Sequence, residues 1–593
     1  MAKIKIGALG GLGENGKNMT IVEVDEHIFI LDCGIKYPEI DMYGVDAVVP
    51  DMQYLVDNKD RIDGILLSHG HEDHIGALPY LLEKVKTPVF GTHFTICLVE
   101  ETLIEKGMNL KKHRLYRINE SKILTFGDVT VSFFNITHSI PEAVGISINT
   151  TDGSIIYITD FTFNFSNAYK YKTSYDKIID LGRNGVLAVL PESLGTTNTD
   201  RSLNDSMLEY NFKKALMKPN RLIVSSFSSD LSRIQKIIDL SVTAGRRVAI
   251  VGRRAQRIID IAISSGYLQI PTDKLVHLKL IDDENLNNDK DLVVIVTGIR
   301  QEPYSMITRM ASKQDKLIRI TPEDTVILMA PPVPGTEIFS TELLNFLYEK
   351  DIDVAIYNKT ILKSSHAKEE DLKLLYQMLN PKFVIPIKGE YRHLYKHKDI
   401  ALSSGFNEDL IPMLENGELL VIEDKEIKEI ETINTGDVVI DGNFKNVNMS
   451  IIKEREQISA EGIILINVCV DTLAKQIVHG PVILNKGFVN QDSEIVNQAL
   501  IELTTKIIEN HFVKSVYNAE ILKNGITTEC SKLIFRYLKK RPTVLLNISE
   551  IRKVEKPKKE VRKETTKEEN KMVEISLNDA LKKYRKPKTK KQA

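Results

Sequence analysis

The chain has 593 residues, 42% of them apolar, and a formal net charge of −2, a size that suits about two to four globular domains with substantial cores. No stretch approaches the roughly 18 uninterrupted apolar residues of a membrane helix and no N-terminal segment reads as a signal peptide, so a cytoplasmic protein without membrane attachment is expected. Cys33, Cys97, Cys469 and Cys530 are far apart and form no Cys-x-x-Cys pair, which argues against a disulfide framework or a cysteine zinc site.

In chain order, Ile4-Lys-Ile-Gly7 predicts a strand, followed by a turn through Gly10, Gly11, Gly13 and Gly16 and by strands over 19–24 and 27–32. The turn lacks the helix and spacing of a dinucleotide fingerprint. After the apolar run Ile65-Leu66-Leu67 comes Ser68-His69-Gly70-His71-Glu72-Asp73-His74, which places three of the chain's 13 histidines beside an acid. An extended chain puts alternate side chains on one side, so His69 and His71 can converge on one ion. The turn behind them lets Asp73 and His74 reach a second. Ile75, Leu78, Leu81, Leu82 and Val85 recur at helical spacing and predict a helix directly after the motif. Strands over 129–134 and 154–158 lead to His138 and Asp160, which complete a two-metal pattern with one carboxylate bridging both ions.

From about residue 205 the pattern becomes an α/β insert, with strands over 221–226, 247–251, 292–297 and 325–330 and helices starting at Leu231, Ala255 and Glu337. Strands return over 354–357 and 383–387, and a further unit of strands and helices occupies 448–548. Residues 551–593 hold 16 Lys/Arg against 7 Asp/Glu, leaving a body of about −11. This tail has the composition of a disordered extension able to lie along phosphate backbones or an acidic partner, and 575–584 is long enough for one or two helical turns on such a partner.

The segments Gly10-Gly-Leu-Gly-Glu-Asn-Gly-Lys-Asn18, His69 to His74, Thr137-His-Ser-Ile-Pro141, Asn380-Pro-Lys-Phe383, Lys388-Gly-Glu-Tyr-Arg392 and Lys540-Arg-Pro542 resemble, in that order, the ribonuclease J family. This is part of the β-CASP nucleic-acid-processing branch of the metallo-β-lactamase superfamily. The resemblance implies an α/β fold: a metallo-β-lactamase αββα sandwich (1–204 and 359–435) with an inserted α/β β-CASP domain (205–358). A linker (436–447), a small α+β C-terminal domain (448–548) and a basic disordered tail (549–593) follow. It implies that His69, His71 and His138 hold one zinc or manganese ion, that Asp73 and His74 belong to a second, and that Asp160 bridges them. Glu192 in Pro191-Glu-Ser193 matches the acid of the insert's first motif, and His366 matches the histidine of the second, which supports charge developing on the scissile phosphate. Ser228, Ser229 and Asp230, with Leu362, Lys363, Ser364, Ser365 and His366, match loops that grip RNA. Asp46 and Asp441 match positions that hold a structural calcium in some members.

Three positions depart from the family pattern. Lys388 stands where a histidine completes the second metal site, and an ammonium offers no lone pair and repels a nearby cation, so that site is expected to be weakened or empty. Ser365 replaces a glycine that lets backbone approach phosphate, and Asp230 adds an acid expected to repel phosphate. These changes resemble the partly eroded second paralogue of many Gram-positive bacteria. The resemblance implies 5′-to-3′ trimming and internal cleavage of single-stranded, 5′-monophosphorylated RNA in mRNA decay and rRNA maturation, with Asp73, Glu192, His366 and Lys388 in the catalytic centre and activity lowered by Lys388. The alternatives are a nearly inactive RNA-binding subunit and a small-molecule lactonase or glyoxalase-type hydrolase; the insert and the C-terminal unit argue against the latter. A homodimer or a mixed assembly with an active paralogue is expected.

Overall fold

The first strands alternate between two cores rather than between a core and solvent. In the computed structural model of the chain, Met19 and Ile21 enter one core while Val22 and Val24 enter another, and Ile28 and Ile30 part from Phe29 and Leu31 in the same way. A strand buried on both faces reads as nearly continuous apolar sequence. The structure describes residues 2–39, 41–163, 171–198, 206–252, 255–277, 289–358, 361–442, 444–487, 493–514 and 516–551; most of the basic tail, with its 575–584 segment, lies outside them. Two compact units divide at residues 456 and 457.

In the first unit, an eight-stranded sheet runs in the order Glu426–Thr432, Glu418–Glu423, Ile4–Gly10, Met19–Val24, His27–Leu31, Ile62–Leu66, Val89–Gly91, Leu115–Arg117. It faces a six-stranded sheet ordered Phe383–Val384, Val186–Pro191, Gly153–Ile158, Val144–Thr150, Val129–Asn135, Ile123–Phe126. Phe29, Leu31 and Leu66 from the first sheet share a core with Phe133, Ile146 and Tyr157 from the second. The outer face of the second sheet is covered by the helix Glu369–Leu379 through Leu372 and Leu375, and the outer face of the first by Leu78, Leu81, Phe94 and Val99. This is an αββα sandwich. The insert is a parallel sheet ordered Arg247–Val251, Leu292–Gly298, Leu222–Phe227, Thr325–Leu328, Asp353–Ile356. The carboxyl ends of such strands are where an open α/β sheet binds ligands.

The apolar run from Ile75 to Val85 is not one helix. Glu72–Ile75 and Leu78–Leu82 are separate short helices, because in a continuous helix the Pro79 ring would clash with the Ile75 carbonyl and supply no amide hydrogen. The expected linker 436–447 carries a strand: Asp437–Asp441 pairs antiparallel with Ala47–Pro50, and Val439 and Val48 are buried there. The sequence 437–441 carries Val438, Val439 and Ile440, a short apolar run that strand pairing explains and a linker does not.

In the second unit, Ile463–Asp471 is central, antiparallel to Gln476–Lys486 and parallel to Thr543–Ile551. The helices Ser493–Lys514 and Ala519–Leu538 cover one face, where Ile464, Ile466 and Val468 meet Leu500, Ile526 and Ile534. No helix of the described residues is long and apolar enough to cross a membrane.

Candidate active site and metal centre

The strand Ile62–Leu66 delivers the histidine motif beside the end of its parallel neighbour His27–Leu31, and the residue following that neighbour organises the site. Asp32 is fully buried. One of its carboxylate oxygens accepts from Ser68 N (2.8 Å); the other accepts from Ser68 Oγ (2.7 Å), Tyr157 Oη (2.8 Å) and His74 Nδ1 (2.6 Å). His74 Nδ1 thereby carries a proton, and Nε2 faces the centre, 3.3 Å from Asp73 Oδ2 and 3.0 Å from Asp160 Oδ2. Asn18 Nδ2 donates to Asp73 Oδ2 (3.0 Å) and to the Asp73 carbonyl (2.9 Å), and Gly34 lies so tightly against that carbonyl that no Cβ fits. Sequence reasoning did not assign Asp32 or Asn18 to the site; an acid closing the apolar run 28–31 was the signal for Asp32. Asp32→Ala leaves His74 and Tyr157 buried without their acceptor and is expected to lower stability by about 3–5 kcal/mol, as read by thermal or denaturant unfolding.

Four donors converge at the first position. His69 Nε2 lies 3.0 Å from His71 Nδ1, His138 Nε2 lies 3.1 Å from the same atom, and Asp160 Oδ2 lies 3.0 Å from His69 Nε2. Burial, with His74 nearby, pushes His69 down to about 3, and burial holds His138 well below the usual histidine range. The rings are therefore neutral and present lone pairs, which is the donor set a zinc-like ion takes. Their outer nitrogens are held as well: His69 Nδ1 by Ser68 Oγ (2.9 Å), His71 Nε2 by the Ser229 carbonyl (3.0 Å) and His138 Nδ1 by the Ser365 carbonyl (3.1 Å). Such outer partners fix tautomer and ring orientation in metal sites. The residues present fit a metal at this position.

The second position is formed by Asp73 Oδ2, His74 Nε2 and Asp160 Oδ2, and the Lys388 ammonium lies among all three, at 3.0, 2.6 and 2.5 Å. Burial opposes its charge, but Asp160, Asp73 and Glu192 hold its pKa above the ordinary lysine value. Burial likewise works against Asp73 and Asp160, yet Lys388 and His74 keep both well below the usual carboxylate range. Burial and Lys388 oppose a charge on His74 as well, but Asp73, Asp32 and Asp160 hold its pKa well above the usual histidine range, so the 2.6 Å contact between Lys388 Nζ and His74 Nε2 brings two cationic groups together among three carboxylates. Lys388 reaches this place with φ 54° and is followed by Gly389 at φ 139°; a non-glycine residue in the left-handed region costs on the order of 1–3 kcal/mol.

Glu192 is fully buried. Its Oε1 accepts from the amides of Phe161 (2.8 Å) and Ala367 (3.0 Å), and its Oε2 pairs with His366 Nδ1 (2.7 Å), which also lies 3.2 Å from Asp160 Oδ1. Burial disfavours a charged His366, but Glu192 and Asp160 push its pKa up to about 10, so it is an imidazolium at neutral pH.

These groups open on a cavity of about 1070 Å³ between the sandwich and the carboxyl end of the insert sheet. Ser228, Ser229 and Asp230 follow the strand Leu222–Phe227, and Leu362 to His366 form the facing loop; all of them line it. Asp230, expected to repel phosphate, has its charge taken up: it caps the helix Leu231–Thr243 by accepting from Arg233 N (3.0 Å) and pairs with the Arg233 guanidinium at 2.8 Å. Of the two acids matched to a structural calcium, Asp46 accepts from Gly442 N (2.7 Å), and Asp441 pairs with Arg455, which also donates to the Tyr43 carbonyl. A guanidinium supplies the positive charge there.

An αββα sandwich, a parallel α/β insert and adjoining His/Asp clusters at their junction define a metallohydrolase of the metallo-β-lactamase superfamily with a β-CASP insert. Residues 12–197 match the metallo-beta-lactamase superfamily, 219–347 the ribonuclease J beta-CASP domain, 351–407 the Zn-dependent metallo-hydrolase RNA specificity domain, and 450–551 the ribonuclease J C-terminal domain. Proteins called Ribonuclease J 2 from Staphylococcus epidermidis and Staphylococcus aureus are 34% and 33% identical over 552 and 551 residues, covering 92% of this chain and 98% of each relative. A crystal structure of a protein of unknown function from Enterococcus faecalis, 15% identical with a TM-score of 0.50, covers 71% of this chain and 100% of its own, a likeness of fold alone. The chain belongs to the ribonuclease J family.

Proposed function

We propose that the protein is a ribonuclease whose centre uses one divalent ion, zinc or manganese, together with the fixed ammonium of Lys388 in place of a second ion. The observation that carries this reading is the position of Lys388 Nζ within 3.0 Å of Asp73, His74 and Asp160 at once. An ion held by His69, His71, His138 and Asp160 supplies a water of lowered pKa and a Lewis-acid contact to phosphate. Lys388 keeps Asp73 and Asp160 ionised and offers positive charge where the attacked phosphate becomes more negative. His366, fixed through Nδ1 by Glu192, offers its other ring nitrogen as a donor to a phosphoryl oxygen. Lys363 lines the same cavity and adds to the charge that draws an RNA backbone into it.

The substrate is single-stranded RNA with a 5′-monophosphate, trimmed 5′-to-3′ and also cut internally, in cytoplasmic mRNA decay and rRNA maturation; family membership supports this. Turnover is lower than in a two-ion centre, since a fixed ammonium cannot orient a water as a second ion can. Assembly as a homodimer or with an active paralogue is supported by the sheet face of the second unit on which, among the described residues, Leu484 and Leu545 are 59% and 49% exposed. A time course on uniformly labelled, 5′-monophosphorylated RNA with Zn²⁺ or Mn²⁺ tests the activity: mononucleotide release that disappears in His71→Ala is the expected result. RNA binding without release by the wild type would overturn it in favour of a non-catalytic RNA-binding subunit. That second reading draws on the same ammonium, which balances Asp73 and Asp160 without any ion.

A further inference from the structure

Three buried groups take no part in the chemistry above. His397 is fully buried; its Nδ1 lies 2.8 Å from Ser193 Oγ and its Nε2 lies 2.5 Å from Tyr376 Oη. Ser193 Oγ donates its single hydrogen to the Ile387 carbonyl at 2.8 Å, so toward His397 it can only accept. His397 therefore carries its proton on Nδ1 and accepts from Tyr376 on Nε2, and burial keeps the ring neutral, with its pKa down at about 3.

Ser193 also donates its backbone N–H to the Lys388 carbonyl at 3.1 Å. The two carbonyls it grips belong to the peptide planes on either side of the Lys388 Cα, and the orientations of those planes are the φ and ψ of Lys388. That residue sits at φ 54°, a conformation that persists only where the surroundings over-determine it. We infer that His397, acting through Ser193, is a positioning residue that locks both peptide planes flanking Lys388 and so aims its ammonium between Asp73, His74 and Asp160. Tyr376 completes the chain by fixing the tautomer of His397. Because Ser193 follows Glu192, the same lock holds the acid that orients His366. The functional weight of this lock rests on the reading of Lys388 as the resident cation.

The test pairs a chemical readout with a kinetic one. Native protein is treated with an amine-acylating reagent and Lys388 modification is followed by mass spectrometry, beside RNA turnover and thermal unfolding. The expected result is that Lys388 is protected in the wild type and in His397→Asn, whose side-chain amide can still donate to Ser193, and is modified in His397→Ala and Ser193→Ala. Those two variants are also expected to lose about 10–100-fold in kcat with KM little changed, as for other partners that orient a reacting group. Ser193→Ala removes only one oxygen and serves if His397→Ala does not fold. Protection of Lys388 that survives in a folded His397→Ala or Ser193→Ala overturns the inference. If protection is lost as expected while Lys388→Ala turns RNA over at the wild-type rate, the positioning role stands and the resident-cation reading falls.

Discussion

Lys388→His is expected to bring a second divalent ion into the centre and to raise kcat on 5′-monophosphorylated RNA by about 10–100-fold, the scale on which ligands and their partners tune metal centres. The ammonium now within reach of Asp73, His74 and Asp160 would give way to an imidazole that adds a lone pair to three donors already in place. Nothing else at the second position has to move: His74 is oriented by Asp32 and Asp73 by Asn18. Metal content and steady-state kinetics of the same preparation check it, since both quantities must rise together. A gain in metal without a gain in rate would mean that the lost ligand does not limit turnover.

Asp160→Ala is expected to cost both activity and folding. Asp160 is almost fully buried and meets His69 and His74 at 3.0 Å, His366 at 3.2 Å and the Lys388 ammonium at 2.5 Å. Removing it leaves two cations, Lys388 and His366, near each other with less to balance them. Breaking a buried ion pair from one side costs about 3–5 kcal/mol, so the unfolding midpoint in denaturant should fall clearly. The first metal position also loses its only carboxylate, and RNA cleavage is expected to drop by at least about 10²–10³, the loss seen when a key electrostatic group is removed from a reacting centre. Asp160→Asn, which keeps the shape and loses the charge, separates the two effects: activity falls as far, and stability falls less.

Much of the site was legible in the sequence because its chemistry is concentrated. Three histidines in six positions at a strand end carry their meaning locally, and the structure brings His138, Asp160, Glu192 and His366 to them across long sequence separations. The residues that sequence reasoning missed act through others. Asp32 had a local signal only in the apolar run that it closes, and Asn18, Ser193 and His397 matter because of partners far along the chain, as Ser193 does for Ile387 and Lys388. The role of Lys388 was half legible: its charge argued for a damaged second site, but only the structure shows the ammonium lying among all three remaining ligands. Two fold expectations failed for identifiable reasons. Pro79 breaks a periodic pattern that composition alone reads as one helix, and the pairing of 437–441 with 47–50 depends on a partner strand almost 400 residues away.

Metal content of the purified wild-type chain, loaded with Zn²⁺ or Mn²⁺ and dialysed, bears on the centre more directly than any activity assay. One equivalent of ion per chain, lost in His71→Ala and kept in Lys388→Ala, is the predicted result. Two equivalents in the wild type would mean that Lys388 is displaced from among Asp73, His74 and Asp160, and none would mean that the histidines do not hold an ion; either contradicts a centre built from one ion and one ammonium.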